Sequence, residues 1–374
     1  MSNDLTGSPA SSHQVLSADW SFPENISSSQ ARATRPALVS GPNGQLHALW
    51  EQNARIFYSV RDNGQWSSPA TVATGRQPSA GLDEQGALHV VFTNEFFFKD
   101  DIFFVVFDQG IWSLPIKVSK TTGASRLADL AIDHQGTVHA VWTDETPGYE
   151  VIYHGWFEET WLNEPIQNAR GATPVLVADG QDPEGLHLAF QSSGIGVAAK
   201  DIYHLKGKIY EWTLPENVSI SSETDSIDVA LTLDSDNRVH MVWQEVEGDT
   251  SRVRYVKGNP SGWEYPEDVS VPGIDARQPA ILATQGTQIS VVWREGNTIV
   301  FRWRRGDVPN WHVPDPVIAN DSGLADMVME GGADGALYVA WSGAANGSER
   351  DIFSSRHAPL YQPKVFLPGI EVDH

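Results

Sequence analysis

A five-residue segment, apolar-His-x-x-aromatic, recurs along the chain. It reads Leu46-His47-Ala48-Leu49-Trp50, then Leu88 to Phe92, Val138 to Trp142, Leu186 to Phe190 and Val239 to Trp243. Two further copies, Ile289 to Trp293 and Leu337 to Trp341, replace the histidine with Ser290 and Tyr338. The aromatic positions lie 42, 50, 48, 53, 50 and 48 residues apart. A period of that length belongs to repeat architectures, in which one supersecondary unit is stacked many times.

Each unit has the same surroundings. An apolar run comes first, as in Pro36-Ala37-Leu38-Val39, followed by a turn rich in Asp, Asn and Gly, as in Asp83-Glu84-Gln85-Gly86. After the aromatic comes a loop of variable length, then a β-rich run such as Ile56-Phe57-Tyr58, then Trp-x-x-Pro, as in Trp66 with Pro69. Short β-branched and aromatic runs between turn residues read as strands, and helical periodicity is nowhere sustained. Four antiparallel strands per unit, seven times over, predict an all-β, single seven-bladed β-propeller.

The chain ends set a ring apart from a linear solenoid. The seventh unit lacks its Trp-x-x-Pro strand, and Trp20-Ser21-Phe22-Pro23-Glu24-Asn25-Ile26-Ser27 at the start matches Trp212 to Ser219 of the fourth. The N-terminal strand, residues 20–27, therefore completes blade seven. Residues 20–358 are expected to form the propeller, 1–19 a flexible arm and 359–374 an extended tail.

The repeat resembles the sialidase-superfamily style. Asp62-Asn63-Gly64-Gln65-Trp66 and Asp108-Gln109-Gly110-Ile111-Trp112 resemble Asp-box hairpins, each one residue shorter between Gly and Trp than usual. Similar repeats occur in sialidases, in non-catalytic lectin-like propellers and in uncharacterised exported bacterial proteins. Lys364-Val365-Phe366-Leu367-Pro368 resembles a C-terminal segment of some exported bacterial proteins. The resemblance implies an extracellular or cell-surface setting with a leader removed, although a cytoplasmic one fits the sequence too.

Composition narrows the function. Lys plus Arg is 25 against 48 Asp plus Glu, a formal charge of −23, which a nucleic-acid backbone would repel. No apolar run is long enough to insert in a membrane. Cysteine is absent, which excludes disulfides and thiolate metal sites. The histidines His47, His89, His139, His187 and His240 fall in five different blades, so they cannot converge on one metal and are expected to satisfy backbone groups. No metal and no cofactor is expected.

Function is expected on the face carrying the b–c and d–a loops, called the top here, because variable loops on a rigid scaffold carry binding sites. Arg76, Arg126 and Arg277 hold one repeated place at the entry to strand a, with Arg35 one residue off and Arg170 two off. Guanidinium groups there can clamp a carboxylate or phosphate, or can pair with neighbouring carboxylates between blades. Sialidases use an arginine triad on the substrate carboxylate, and Thr34-Arg35-Pro36 resembles one triad entry without its intervening residue. A glycosidase also needs convergent carboxyl groups, or a tyrosine nucleophile with its base and an acid. Candidates are Asp144, Glu145, Tyr149 and Glu150 in blade three, with Glu245, Glu247 and Glu295 beyond. Phe97, within Phe96-Phe97-Phe98, is a candidate ligand or partner contact if strand c does not bury it. The leading expectation is a non-catalytic propeller that presents its top loops and channel to a glycan or protein. A sialidase-like hydrolase and a cell-surface assembly protein are the alternatives.

Overall fold

The computed structural model describes residues 14–360 apart from 16, 18, 29–30, 42, 194–198, 222, 260–261, 285–286, 306–307, 320 and 345–349. The tail segment Lys364 to Pro368 lies outside the described residues. Seven antiparallel sheets form the blades of a β-propeller, with no helix among the described residues. Blade one is typical: strand a is Ala33–Ser40, b is Leu46–Gln52 and c is Arg55–Asp62, while d is split into Gln65–Trp66 and Ala70–Thr74. Pro69 sits in the gap, where a residue without an N–H cannot continue the ladder.

Strand b is buried on both faces because neighbouring blades pack face to face. Trp50, Trp142, Trp243, Trp293 and Trp341 are fully buried, and Phe92 and Phe190 take their place in blades two and four. The Asp-box-like turns are c–d hairpins with left-handed backbone at Asn63 and Gly64, and at Gln109 and Gly110. These are the dihedrals that a two-residue hairpin needs.

Ring closure takes the form read from the chain ends. Glu24 pairs with Ser354 and Asn25 with Phe353 on strand c of blade seven, Asp351–His357. The Ser27 hydroxyl donates to Asp351 at 2.6 Å and accepts from the Ile352 N–H at 3.0 Å. Ser219 makes the same two bonds to Asp201 and Ile202 in blade four. Gln14 and Val15, within the segment expected to be an arm, pair with Ala319 and Ile318 at the outer edge of blade six.

The repeated histidines bond within their own blades. His139 and His187 each face the aspartate of the a–b turn, Asp133 and Asp179, at 3.2 Å on one nitrogen. On the other nitrogen each meets a strand-c histidine, His154 at 3.0 Å and His204 at 2.9 Å. His47 and His240 meet the hydroxyls of Tyr58 and Tyr255 instead. Burial lowers the pKa of His47, His154, His187 and His240, and His204 is lowered to about 3 by burial first and by His187 and Lys206 after it.

Candidate functional site

The seven a strands converge on a central channel of about 510 Å³. Each enters it through a β-bulge, marked by a register shift against strand b. One non-glycine residue in each bulge has left-handed backbone: Arg35, Gln77, Leu127, Thr173, Asp228, Gln278 and Asp326, with φ between 51° and 57°. That conformation costs about 1–2 kcal/mol for an L-residue. A bulge bends its strand, and here it turns one side chain per blade toward the mouth of the channel.

Six of the seven bulges are also stitched to the blade before. The Gln77 N–H donates to Glu51, that of Leu127 to Gln77, that of Thr173 to Thr143 and that of Asp228 to Gln191. The Gln278 N–H donates to Gln244, and the Arg35 N–H to Asp326. The side-chain oxygens come mostly from the residue just after the strand-b aromatic, so the repeat that builds the core also sets the mouth. Deeper in, Asp129 accepts from the Ser79 hydroxyl at 2.6 Å and the Leu176 N–H at 2.8 Å, and burial still raises its carboxyl above the usual range. At the mouth, burial and then the charge of Asp326 raise Asp228 in the same way.

The arginines separate into two groups. Arg76 pairs with Asp100 at 2.5 Å, Arg126 with Glu145 at 2.6 Å and Arg277 with Asp275 at 2.8 Å. All three lie just before the bulge residue and pair within their own blade, Arg76 with the start of strand c, Arg126 with the residue after strand b and Arg277 with the residue two before it, so each charge is neutralised where it stands. Arg35 lines the mouth, exposed and with no ion pair among the described residues. Arg170, the last residue of strand d in blade three (Trp161–Arg170), has no carboxylate partner among the described residues either. Its guanidinium lies over the Tyr149 ring, 3.8 Å from the centroid.

Arg170 and Tyr149 form one wall of a top-face cleft of about 300 Å³ between blades three and four. Glu150, Gln191, Ser192, Ser193 and Lys200 complete its polar lining. The Lys200 backbone is fixed, its N–H donating to Asp225 at 2.8 Å and its carbonyl accepting from Ser226 at 2.7 Å. No ion pair engages its ammonium among the described residues. The floor depends on Gly171, where a Cβ would stand 2.4 Å from the Gln191 carbonyl oxygen. Lys200, Gln191 and Ser193 belong to no motif. They are functional candidates only because the fold brings the b–c region of blade four beside the d–a connection of blade three.

The four catalytic candidates of blade three do not converge. Asp144 is 0% exposed and accepts from Thr121, Ser125 and the Thr146 N–H. It organises the b–c loop rather than facing a ligand. Glu145 is held by Arg126, and only Tyr149 and Glu150 line the cleft. Elsewhere, Glu245 and Glu247 pair with Arg252, and Glu295 accepts from the Trp293 indole. Among the described residues no group of three His, Asp or Glu is placed to hold a metal.

Phe97 and Phe98 occupy the tip of a tight hairpin between strands b (Leu88–Phe96) and c (Lys99–Asp108) of blade two. The expected loop is thus mostly strand, and no ring of the three is buried. Phe97 is 81% and Phe98 97% exposed, both in left-handed backbone.

No protein-family model matches the sequence, and no curated protein matches it. Solved structures do. A PL25 ulvan lyase bound to -[GlcA(1-4)Rha3S]- aligns with a TM-score of 0.63 at 12% identity, covering 89% of this chain and 95% of that one. The GH93 α-L-arabinofuranosidase of Fusarium graminearum with arabinobiose aligns at 0.51 and 12%, covering 89% and 96%. NanB aligns at 0.51 and 11%, covering 90% and 70%. At these identities the likeness is one of fold.

Proposed function

We propose that this protein is a non-catalytic glycan-binding propeller that takes a saccharide in the cleft between blades three and four. The observation that carries this reading is the Arg170–Tyr149 stack beside Lys200. Tyr149 is 46% exposed, enough for a sugar C–H face to pack on it while Arg170 backs it. Gln191 and Ser193 add an amide and a hydroxyl that can exchange hydrogen bonds with sugar hydroxyls. A concave site with few, directed polar groups is the usual form of a small-ligand pocket. Propellers of the same fold include a lyase solved with a uronate-containing saccharide and an arabinofuranosidase solved with arabinobiose.

Glycoside hydrolysis calls for two carboxyl groups flanking the scissile bond, and Glu150 is the one carboxyl among the described lining residues of the cleft. The arginines that could have formed a carboxylate-binding triad are each tied to Asp100, Glu145 or Asp275. Both points favour binding over catalysis. A saccharide ligand suits a protein that works at or outside the cell surface. A glycan array probed with the intact protein and with Tyr149→Ala tests the reading. Capture of a defined glycan, weakened at least tenfold by the substitution, supports it. No capture, or turnover of a fluorogenic sialoside, sinks it.

A further inference from the structure

We infer that the cleft selects an acidic saccharide, holding a carboxylate or sulfate oxyanion between Arg170 and Lys200. This rests on the glycan-binding reading above and adds the class of sugar.

The argument starts from where this protein leaves positive charge unneutralised. Acidic groups outnumber basic ones by 48 to 25, and among the described residues several cations of the top face are tied to carboxylates, although Arg35 and Arg294 are not. Arg76, Arg126 and Arg277 have theirs, and Arg252 has Glu245 and Glu247. Within one cleft, neither Arg170 nor Lys200 makes an ion pair among the described residues, although the charge of Lys200 acts on the buried Asp228 carboxyl. In so acidic a chain, two cations that line one cleft without an ion pair mark a place for an anion from outside.

The stack also prepares Arg170. Its guanidinium carbon stands 3.8 Å from the Tyr149 ring centroid, a cation–π contact that holds the group at the cleft wall, and its N–H donors meet no carboxylate among the described residues. The ring holds the group in place in advance, which lowers the cost of a bidentate bond to an oxyanion. Lys200 supplies a point charge from a backbone held by Asp225 and Ser226. Glu150 is the one opposing charge in the lining, so the cleft carries a net charge of about +1 against the −23 of the whole chain. Its carboxylate can accept from a neighbouring sugar hydroxyl, which favours a saccharide over a bare inorganic anion.

The test is an array carrying uronate and sulfated oligosaccharides, each printed beside its carboxyl-reduced or desulfated counterpart. The best-bound pair is then titrated calorimetrically against the intact protein, Arg170→Gln and Lys200→Gln. The acidic member should bind about tenfold or more tightly than its neutral counterpart. Each substitution should remove most of that difference, weakening the acidic member far more than its neutral counterpart, with unaltered melting temperatures showing that the variants fold. The uronate and sulfate arms show which oxyanion is preferred. Equal binding of both members, or equal loss for both in the variants, overturns this inference while glycan binding stands. Capture of no glycan overturns both.

Discussion

The Ser27 hydroxyl donates to the Asp351 carboxylate at 2.6 Å, joining residues 324 apart in the chain. It is the ring's counterpart of the Ser219–Asp201 bond inside blade four. A bond to a charged acceptor contributes about 1.5–3 kcal/mol, and losing the serine oxygen also orphans the Ile352 N–H. Ser27→Ala is therefore expected to lower unfolding stability by about 2 kcal/mol in urea titration, with Ser219→Ala losing a similar amount. An unchanged midpoint for Ser27→Ala would mean that the closure is held elsewhere.

The paired arginines should be dispensable for binding. Arg76→Ala and Arg126→Ala remove partly exposed ion pairs of a kind that contributes about 1 kcal/mol or less. Both variants should melt within a few degrees of the parent and capture glycan equally well on an array. A selective loss of binding in either would return those arginines to the site.

Glu330, near the end of strand a in blade seven, lines a cavity with Leu282 and Leu337 and accepts from the Ser40 hydroxyl at 2.8 Å, and burial raises its carboxyl from 4.5 to about 7. A folded-state value above the unfolded one means that the folded protein holds the proton more tightly. The cost of burying the charge is thus present above pH 7 and disappears as the pH falls toward 4.5. Glu330→Gln keeps the acceptor oxygen without the charge. It should stabilise the protein by about 1–3 kcal/mol at pH 8 and by little at pH 5, as read from thermal melts at the two pH values. Equal effects at both would contradict the assignment.

The hairpin tip of blade two is strained. Phe97 and Phe98 both adopt left-handed backbone, with φ of 49° and 66°, where Asn-Gly is the favoured pair. Replacing them by Asn-Gly should raise stability by about 1–2 kcal/mol, because little packing is lost from two exposed rings. A lower melting temperature would show that the rings contribute more than the turn costs.

The propeller was legible because its core depends on residue type at fixed spacing. Trp50, Trp142, Trp243, Trp293 and Trp341 are buried as their repetition implies, and Ser27 matches Ser219 down to the bond it makes. The site was only partly legible, because partnership rather than position separates its residues. Arg76 and Arg170 look alike in the sequence, yet one meets Asp100 and the other Tyr149. Asp144 and Glu150 bound the same loop, yet the first is sealed by its hydrogen bonds and the second opens on the cleft. The bulge ring left no trace, since its left-handed positions hold Leu127 and Thr173 rather than glycine.

Amide hydrogen exchange with and without a bound saccharide locates the site most directly. Binding in the cleft predicts slowed exchange at the Tyr149–Glu150 turn, around Arg170 and Gly171, and at Gln191 to Ser193 and Lys200, with the outer face of the same blades unchanged. Protection centred instead on the rim groove of Lys208, Tyr210 and Trp212 would contradict the account.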